Sequence, residues 1–355
     1  MRPKSRVCCQ IDADMDLLTT QRVNTAAQVW RAIGTIGLLL ISASAGARAR
    51  AEPTDLASLR QRVGVLVGEG DQEGALRVAQ TVVARVTALH GPDHLETARS
   101  LCDEANLHAA IGSYLEAQRL YTRALAIRES QLGPHDPSVA DVLLASAEVL
   151  QVDSRHGDAI PLLQRAITIR EDKLGPKHPG TADALNELGV CLFVKEEYNE
   201  AATVFERCLV IQEKTLGPMH PDTARALTNL GHVYRQRENY EKAEMLVVRA
   251  YGIFSEAFGK DHEVTVDSVD DMGLIWFLEG NYEGAEKCFG RVLEFRRSHF
   301  GEDDPQITCT ANLLIAAYRA QGKEAEADAL EQVFASTKTD STPTGEDTPK
   351  EINNK

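Results

Sequence analysis

The chain has 355 residues and a formal net charge of −15, since 53 Asp and Glu outnumber 38 Lys and Arg. This acidic balance argues against the basic surface on which nucleic-acid binding depends. Only 5% of the residues are aromatic, too few for a platform on which bases could stack. We therefore expect no nucleic-acid partner.

Residues 1–54 differ in composition from the rest of the chain. An uncharged, mostly apolar or small stretch spans residues 32–47, follows Arg31 and precedes a small-x-small sequence at 49–51. This layout is typical of a secretory signal and is too short for a comfortable transmembrane helix. It predicts an exported protein (periplasmic or secreted), or one that this stretch tethers to a membrane. Because Arg48 and Arg50 lie in the cleavage zone, a cytoplasmic chain with an unstructured N-terminus stays open as the alternative.

A single interval of 42 residues organises the chain from residue 55 to residue 336. Six glycines and seven alanines follow it: Gly91, Gly133, Gly175, Gly217, Gly259 and Gly301; Ala75, Ala117, Ala159, Ala201, Ala243, Ala285 and Ala327. Self-similarity at such a period indicates a stack of repeated structural units, and stacks of this kind commonly serve as binding surfaces. The alanines predict seven units.

Each unit is predicted to contain two helices. In the unit that starts at Pro179, apolar residues at helical spacing fall into two sets: Leu185, Leu188 and Leu192, then Ala201, Phe205, Cys208 and Leu209. Gly217 is placed to end the second helix, and Pro221 to begin the next one. Small residues at Gly189 and Ala201 allow the two helices to pack closely. The unit is therefore a helical hairpin, whose two helices we call helix A and helix B.

The order of small and aromatic residues in this unit resembles the tetratricopeptide repeat, lengthened from about 34 residues. The junctions Leu-Gly-Pro-Lys-His-Pro at 174–179 and Leu-Gly-Pro-Met-His-Pro at 216–221 resemble those of the kinesin light chain type, and the resemblance spans residues 91–322. It implies an all-α fold, a right-handed superhelical solenoid of about seven tetratricopeptide helical hairpins. It also implies a non-catalytic scaffold that binds peptides or proteins in the concave groove along its A helices.

The resemblance also suggests which residues meet a partner. In the kinesin light chain family, asparagines on helix A hold the backbone of a bound peptide, and Asn186 and Asn229 occupy matching stretches here. Counting from the small residue of each helix A places further candidates in the groove: Arg225, His232, Arg235, Asp267, Asp270, Asp271, Asn312 and Arg319. The arginines favour a carboxylate and the aspartates favour Lys or Arg, which predicts a ligand with an acidic and a basic end. The alternative is that Arg225 and Arg235 pair with those aspartates across the repeats.

Four histidines recur at the junctions between units: His94, His178, His220 and His262. They do not suit a shared metal, because ligands lie about 2 Å from one ion whereas packed helices are about 8–10 Å apart. Each stands at a helix start, which favours a capping role. The chain also has no Ser/His/Asp set, no glycine-rich phosphate loop and no HExxH motif. We therefore expect no metal, no cofactor, no catalytic residue and no enzymatic activity.

Five cysteines fall on predicted helices: Cys102, Cys191, Cys208, Cys288 and Cys309. Their odd number and the lack of a CxxC pair indicate no disulfide framework. Isolated cysteines at helical spacing are typical of small buried hydrophobic residues.

Two other functions stay open from the sequence. One is a cytoplasmic cargo adaptor closer to the kinesin light chains, and the other is a repeat domain that regulates an enzyme carried on another chain. Residues 1–54 lack the sustained heptads through which kinesin light chains join their motor, so we do not expect kinesin heavy chain as a partner. Residues 337–355 are rich in Thr, Asp, Pro and Lys and predict a disordered polar tail.

Overall fold

The computed structural model describes residues 55–301 and 304–339. These residues form fourteen helices and no strand: α1 (Leu56–Gly68), α2 (Gln72–His90), α3 (Leu95–Ala110), α4 (Tyr114–Leu132), α5 (Pro137–Val152), α6 (His156–Leu174), α7 (Pro179–Val194), α8 (Tyr198–Thr215), α9 (Pro221–Gln236), α10 (Tyr240–Phe258), α11 (Glu263–Glu279), α12 (Tyr282–His299), α13 (Pro305–Ala320) and α14 (Glu324–Thr339). The predicted all-α fold is confirmed. The signal-like segment and the part of the predicted tail beyond Thr339 lie outside the described residues, whereas 337–339 belong to α14.

The described residues divide into two compact units, the first ending at Arg237 and the second beginning at Glu238. The first unit holds α1 to α9 and the second holds α10 to α14. Within each unit, every helix packs against the next helix along the chain. This consecutive packing of A and B helices is the arrangement that the 42-residue interval predicts.

Helix starts and ends follow the predicted junction signals. Asp136 precedes Pro137 and its carboxylate accepts a hydrogen bond from the backbone N–H of Ser138 at 2.8 Å. The imidazoles of three junction histidines accept in the same way at 3.1 Å, each from the backbone N–H two residues on: His94, His178 and His220. The capping prediction is confirmed for these three histidines. His262 begins α11 without a side-chain cap hydrogen bond.

The alanines that recur at the 42-residue interval all lie near the start of a B helix. Every one of them is fully enclosed, with 0% of its surface exposed: Ala75, Ala117, Ala159, Ala201, Ala243, Ala285 and Ala327. Because a larger side chain would push the helices apart, their burial explains why the interval preserves alanine along the chain. The predicted close packing is therefore confirmed for the hairpins that lie within one unit.

The cysteines belong to the core. Cys191, Cys208 and Cys288 are buried, Cys102 and Cys309 are half-buried, and all five are free thiols. Burial raises the pKa of Cys191 and of Cys208 to about 12, so both remain protonated at neutral pH. Their thiols act as small packing groups, as the helical spacing predicts.

Candidate functional site

The two predicted asparagines are neighbours in the first unit. Asn186 lies on α7 and Asn229 on α9, the A helices of successive repeats, and the two helices are in contact. Asn229 Nδ2 donates a hydrogen bond to Asn186 Oδ1 at 3.0 Å. Asn186 Nδ2 in turn donates to Glu187 Oε1 at 3.3 Å. Both asparagines are half-buried, so the fold brings together the pair that the resemblance singled out and leaves part of each residue exposed.

Arg225 lies on the same side of α9 as Asn229, because residues four apart on a helix are neighbours. Its guanidinium pairs with the carboxylate of Asp222, and 37% of its side chain remains exposed. We call Asn186, Arg225 and Asn229 the asparagine surface. It combines amide donors and acceptors with one cation on two adjacent A helices.

Two predicted groove residues of α9 are not accessible. His232 is 5% exposed and Arg235 is 4% exposed. Both follow the asparagine surface toward the C-terminal end of the helix, where the fold encloses them. The prediction that they meet a partner is corrected on this point, because a side chain must be exposed before a ligand can contact it without rearranging the fold.

The predicted acidic residues of the second unit have a structural role. Asp270 on α11 is fully buried, and its Oδ2 lies 3.1 Å from Nη2 of Arg296 on α12. Asp267 Oδ1 lies 3.3 Å from the same nitrogen, and Arg296 Nη1 donates to the hydroxyl of Thr310 on α13. Asp271 is also buried, at 4% exposed. Asp270 and Asp271 are therefore enclosed rather than open to a basic ligand, and Asp270 helps Arg296 to tie three helices together.

The last two candidates lie on α13 in the second unit. Asn312 is exposed. Arg319 is also exposed, and its Nη2 lies 2.6 Å from Glu331 Oε2 and 3.8 Å from Asp328 Oδ1 on α14. Arg319 therefore links the two helices of the last hairpin, while Asn312 remains open to a partner.

A second set of arginines was not singled out by the sequence reasoning. Arg128 near the end of α4 donates from Nη1 to the backbone oxygen of Ser138 on α5 at 2.5 Å. Arg170, 42 residues later, donates to the backbone oxygen of Gly180 in the equivalent place. Its Nη2 also lies 3.2 Å from Asp141 Oδ1. These arginines fasten each B helix to the start of the next A helix, and their 42-residue spacing was a signal that could have revealed them.

Residues 55–301 and 304–339 contain neither a cluster of metal ligands nor a membrane-spanning helix. No group of three or more His, Cys, Asp or Glu side chains in these ranges is arranged to hold a metal ion. None of the helices described here combines the length and the apolar composition that a membrane crossing requires.

Comparison with known families defines the class of the protein. Models described as tetratricopeptide repeat match residues 55–130, 138–209, 181–256, 222–275 and 265–306. These matches cover more than half of the chain. The protein is an α-helical repeat protein, and it belongs to the tetratricopeptide repeat family. No curated protein sequence matches it significantly.

Solved structures confirm the predicted similarity to kinesin-light-chain-type repeats. The fold is similar to a putative kinesin light chain with nearly identical repeats from Podosopora anserina, at 21% identity and a TM-score of 0.52, covering 56% of this chain and 94% of that one. It is similar to BtubC (BKLC) from P. vanneervenii, at 18% identity and a TM-score of 0.54, covering 71% and 98%.

A third similarity is to a repeat region inside a larger protein. The tetratricopeptide repeat sensor protein PH0952 from Pyrococcus horikoshii, a signal transduction ATPase with numerous domains, shares 14% identity with this chain. The TM-score is 0.64, and the match covers 80% of this chain but only 42% of the ATPase. Because all three solved structures are less than 25% identical to this chain, their similarity supports the fold alone.

Proposed function

We propose that this protein is a non-catalytic scaffold whose asparagine surface binds an extended segment of a peptide or protein partner. The hydrogen bond from Asn229 to Asn186 carries the proposal, because it joins the A helices of successive repeats through two half-buried amides. The tetratricopeptide fold commonly mediates protein–protein interaction, which supports a binding role.

The chemistry of the asparagine surface matches that of a peptide backbone. A side-chain amide has two N–H donors and an acceptor oxygen. Its N–H can bond to a backbone C=O, and its oxygen can accept from a backbone N–H. Asn229 donates once to Asn186, and its Oδ1 has no hydrogen bond within the described residues, so donor and acceptor capacity remains. Hydrogen bonds to the backbone hold a segment whatever its side chains are.

Charge adds a preference to this backbone recognition. Arg225 presents a planar guanidinium with five N–H donors, which suits a carboxylate. Because Asp270 and Asp271 are buried, the described residues offer no matching acidic patch at those positions for a basic end of the ligand. The proposed ligand is therefore an extended segment with an acidic residue, a narrower proposal than the two-ended ligand expected from the sequence.

The test compares two matched triple variants in affinity capture from the native host, read by quantitative mass spectrometry. The binding variant carries Asn186→Ala, Arg225→Ala and Asn229→Ala. The control carries Arg119→Ala, Asn199→Ala and Glu200→Ala, which remove the same number of exposed polar side chains from B helices. We expect partners that the wild type and the control retain and the binding variant loses. Equal recovery with all three proteins would overturn the proposal, provided that thermal melts show equal folding.

The compartment is a separate part of the proposal. The apolar stretch at 32–47 favours export or a membrane tether, and a cytoplasmic adaptor or a regulator of an enzyme on another chain is the alternative. Cell fractionation of the full chain with a C-terminal tag tests it. Recovery of a shortened chain outside the cytoplasm supports cleavage and export, and recovery with the membrane fraction supports a tether. A full-length soluble cytoplasmic chain contradicts both.

A further inference from the structure

A cavity of about 270 Å³ lies in the first unit between the B helices α4 and α6, with α5 at its base. Polar residues line part of its wall, and leucine and valine side chains form the apolar part: Leu125, Val142, Leu143, Leu150 and Leu162. Its rim includes Thr122, Arg155 and Asp158, all exposed, so the cavity is reached from solvent on the side of the B helices. It does not include any residue of the asparagine surface.

The cavity has an identifiable cause in the sequence. Ser146 on α5 occupies a repeat position that holds a large apolar residue in the next four repeats, at most 8% exposed in each: Leu188, Leu230, Met272 and Leu314. Those side chains fill the core between their helices. The serine side chain has two fewer heavy atoms than leucine or methionine, so the third repeat keeps space where the next four repeats bury a larger side chain. Space left by a smaller side chain lowers the stability of a core, and a binding role would account for this cavity.

The polar groups of the cavity are held in place by one another. Gln118 Nε2 donates to the backbone oxygen of Ser146 at 2.7 Å, and Ser146 Oγ donates to Gln118 Oε1 at 2.8 Å. This reciprocal pair fixes the glutamine against the base of the cavity. At the rim, Arg155 Nη2 lies 2.6 Å from Asp158 Oδ2, so the two charges offset each other. These polar groups are therefore paired with one another, which leaves the leucine and valine side chains of the wall for a ligand to contact, and the mouth is close to neutral.

We propose that this cavity receives one large apolar side chain, of leucine or phenylalanine size, from a partner polypeptide. The volume lies below the range of about 300–1,000 Å³ that is usual for whole small-molecule ligands, and it suits a single side chain. Because the polar groups of the pocket already bond to one another, an apolar side chain that contacts the leucine and valine wall leaves no polar group newly unpaired, and one such anchoring residue can contribute strongly to a protein interface. The site is a second contact, on the B helices, and it does not depend on the asparagine surface.

The test titrates the full chain with two capped amino acids, N-acetyl-leucinamide and N-acetyl-phenylalaninamide, and with N-acetylglycinamide as the control that has no side chain. Methyl chemical shifts of Leu125, Val142 and Leu162 report the binding. We expect saturable shifts with a dissociation constant in the millimolar range for the first two probes and no saturable shifts for the third, because a small ligand has few atoms to contribute affinity.

Two variants make the outcome decisive. Ser146→Leu introduces the side chain that three of the next four repeats carry, and we expect it to abolish the shifts and to raise the melting temperature. Thr122→Phe places a ring at the exposed rim without altering the core, and we expect it to weaken probe binding at least tenfold. Saturable shifts that persist in Ser146→Leu would overturn the proposal. So would a stabilised Ser146→Leu protein whose wild type binds neither probe, because the cavity would then be a packing defect only.

Loss of binding at the asparagine surface leaves this experiment unaffected. The triple variant Asn186→Ala/Arg225→Ala/Asn229→Ala keeps the cavity, so its probe shifts should equal those of the wild type. Failure of one proposal is thus distinguishable from failure of the other.

Discussion

Gly189 on α7 lies against the ring of Phe205 on α8, so closely that a Cβ added to the glycine would stand 2.6 Å from Phe205 Cε1. The second unit repeats this arrangement, where a Cβ on Gly273 would stand 2.8 Å from Phe289 Cε1. In the third repeat, the matched positions hold Ala147 and Leu163, both buried. Glycine on helix A therefore stands opposite phenylalanine in two hairpins, whereas the second repeat pairs Ala105 with Tyr121 at the matched positions.

The Gly189–Phe205 relationship predicts a rescue. Gly189→Ala should lower the free energy of unfolding by about 1–3 kcal/mol, because the phenylalanine ring must shift to admit the methyl group. Adding Phe205→Leu recreates the pair found at 147 and 163 and should recover part of that loss. Urea denaturation of the wild type, the two single variants and the double variant measures the coupling.

A second glycine provides the control for this cycle. Gly252 lies inside α10 with nothing within 4 Å of an added Cβ, so Gly252→Ala should leave stability unchanged or raise it by up to about 1 kcal/mol. A Gly189→Ala protein as stable as Gly252→Ala would show that steric exclusion does not set the choice of glycine.

The buried alanines predict a strong positional contrast at the start of α8. Ala201 is fully buried and Glu200 beside it is exposed. Ala201→Leu should destabilise the protein by about 1–3 kcal/mol by overpacking, whereas Glu200→Ala should produce no measurable change. Chemical denaturation of both variants tests this, and equal midpoints would contradict the packing role of the repeated alanines.

His156 predicts a pH dependence of stability in the first unit. It begins α6 and is 5% exposed, and burial lowers the pKa of its imidazole. The positive charge of Lys195 acts in the same direction. The unfolded chain therefore binds a proton near the ordinary pKa of about 6.5, before the folded protein does. Stability is fully present above that pH and falls as the pH drops toward the lower folded value.

The repeat itself supplies the variant that tests this dependence. The matched positions of four other B helices hold tyrosine, which does not titrate in this range: Tyr114, Tyr198, Tyr240 and Tyr282. His156→Tyr should preserve the fold and reduce the loss of unfolding free energy between about pH 6.5 and 5. Denaturation curves over that range measure it, and an unchanged slope would exclude His156 as a source of acid sensitivity.

The buried ion pair of the second unit predicts a large effect of a single change. Asp270→Ala leaves Arg296, which is 1% exposed, without its closest carboxylate and should cost about 3–5 kcal/mol. Lys287 and Glu283 on α12 form an exposed pair at 2.8 Å, and Lys287→Ala should have no measurable effect. Unfolding of the two variants in low and high salt makes the comparison. A comparable loss in both would show that burial does not determine the strength of the Asp270 pair.

The junctions and hairpins were predictable because their signals are local and repeat. Proline after Asp or His, glycine at the end of a B helix and alanine at its start each act within one or two turns. The depth of burial was not predictable in the same way. Periodicity places Asp270 on one side of α11, but only packing shows that Arg296, 26 residues later, encloses it.

The structural role of residues that differ from one repeat to the next was harder to predict from sequence than the repeated signals were. Ser146 differs from the leucine or methionine of later units, yet a single serine on a predicted helix has no sequence signature that distinguishes a cavity from a solvent-facing position. The burial of His232 and Arg235 was equally hidden, because polar residues on an A helix are usually expected to face solvent.

The most direct test of the central claim is site-specific photo-crosslinking in the native host, with benzoylphenylalanine in place of Asp183, an exposed residue one turn before Asn186. The matched control places the same crosslinker at Asn199, an exposed residue of α8. If the asparagine surface binds partners, Asp183 yields discrete protein adducts that Asn186→Ala/Arg225→Ala/Asn229→Ala removes, and Asn199 does not yield them. Adducts that form equally at both positions, or that survive the triple substitution, would contradict recognition by this surface.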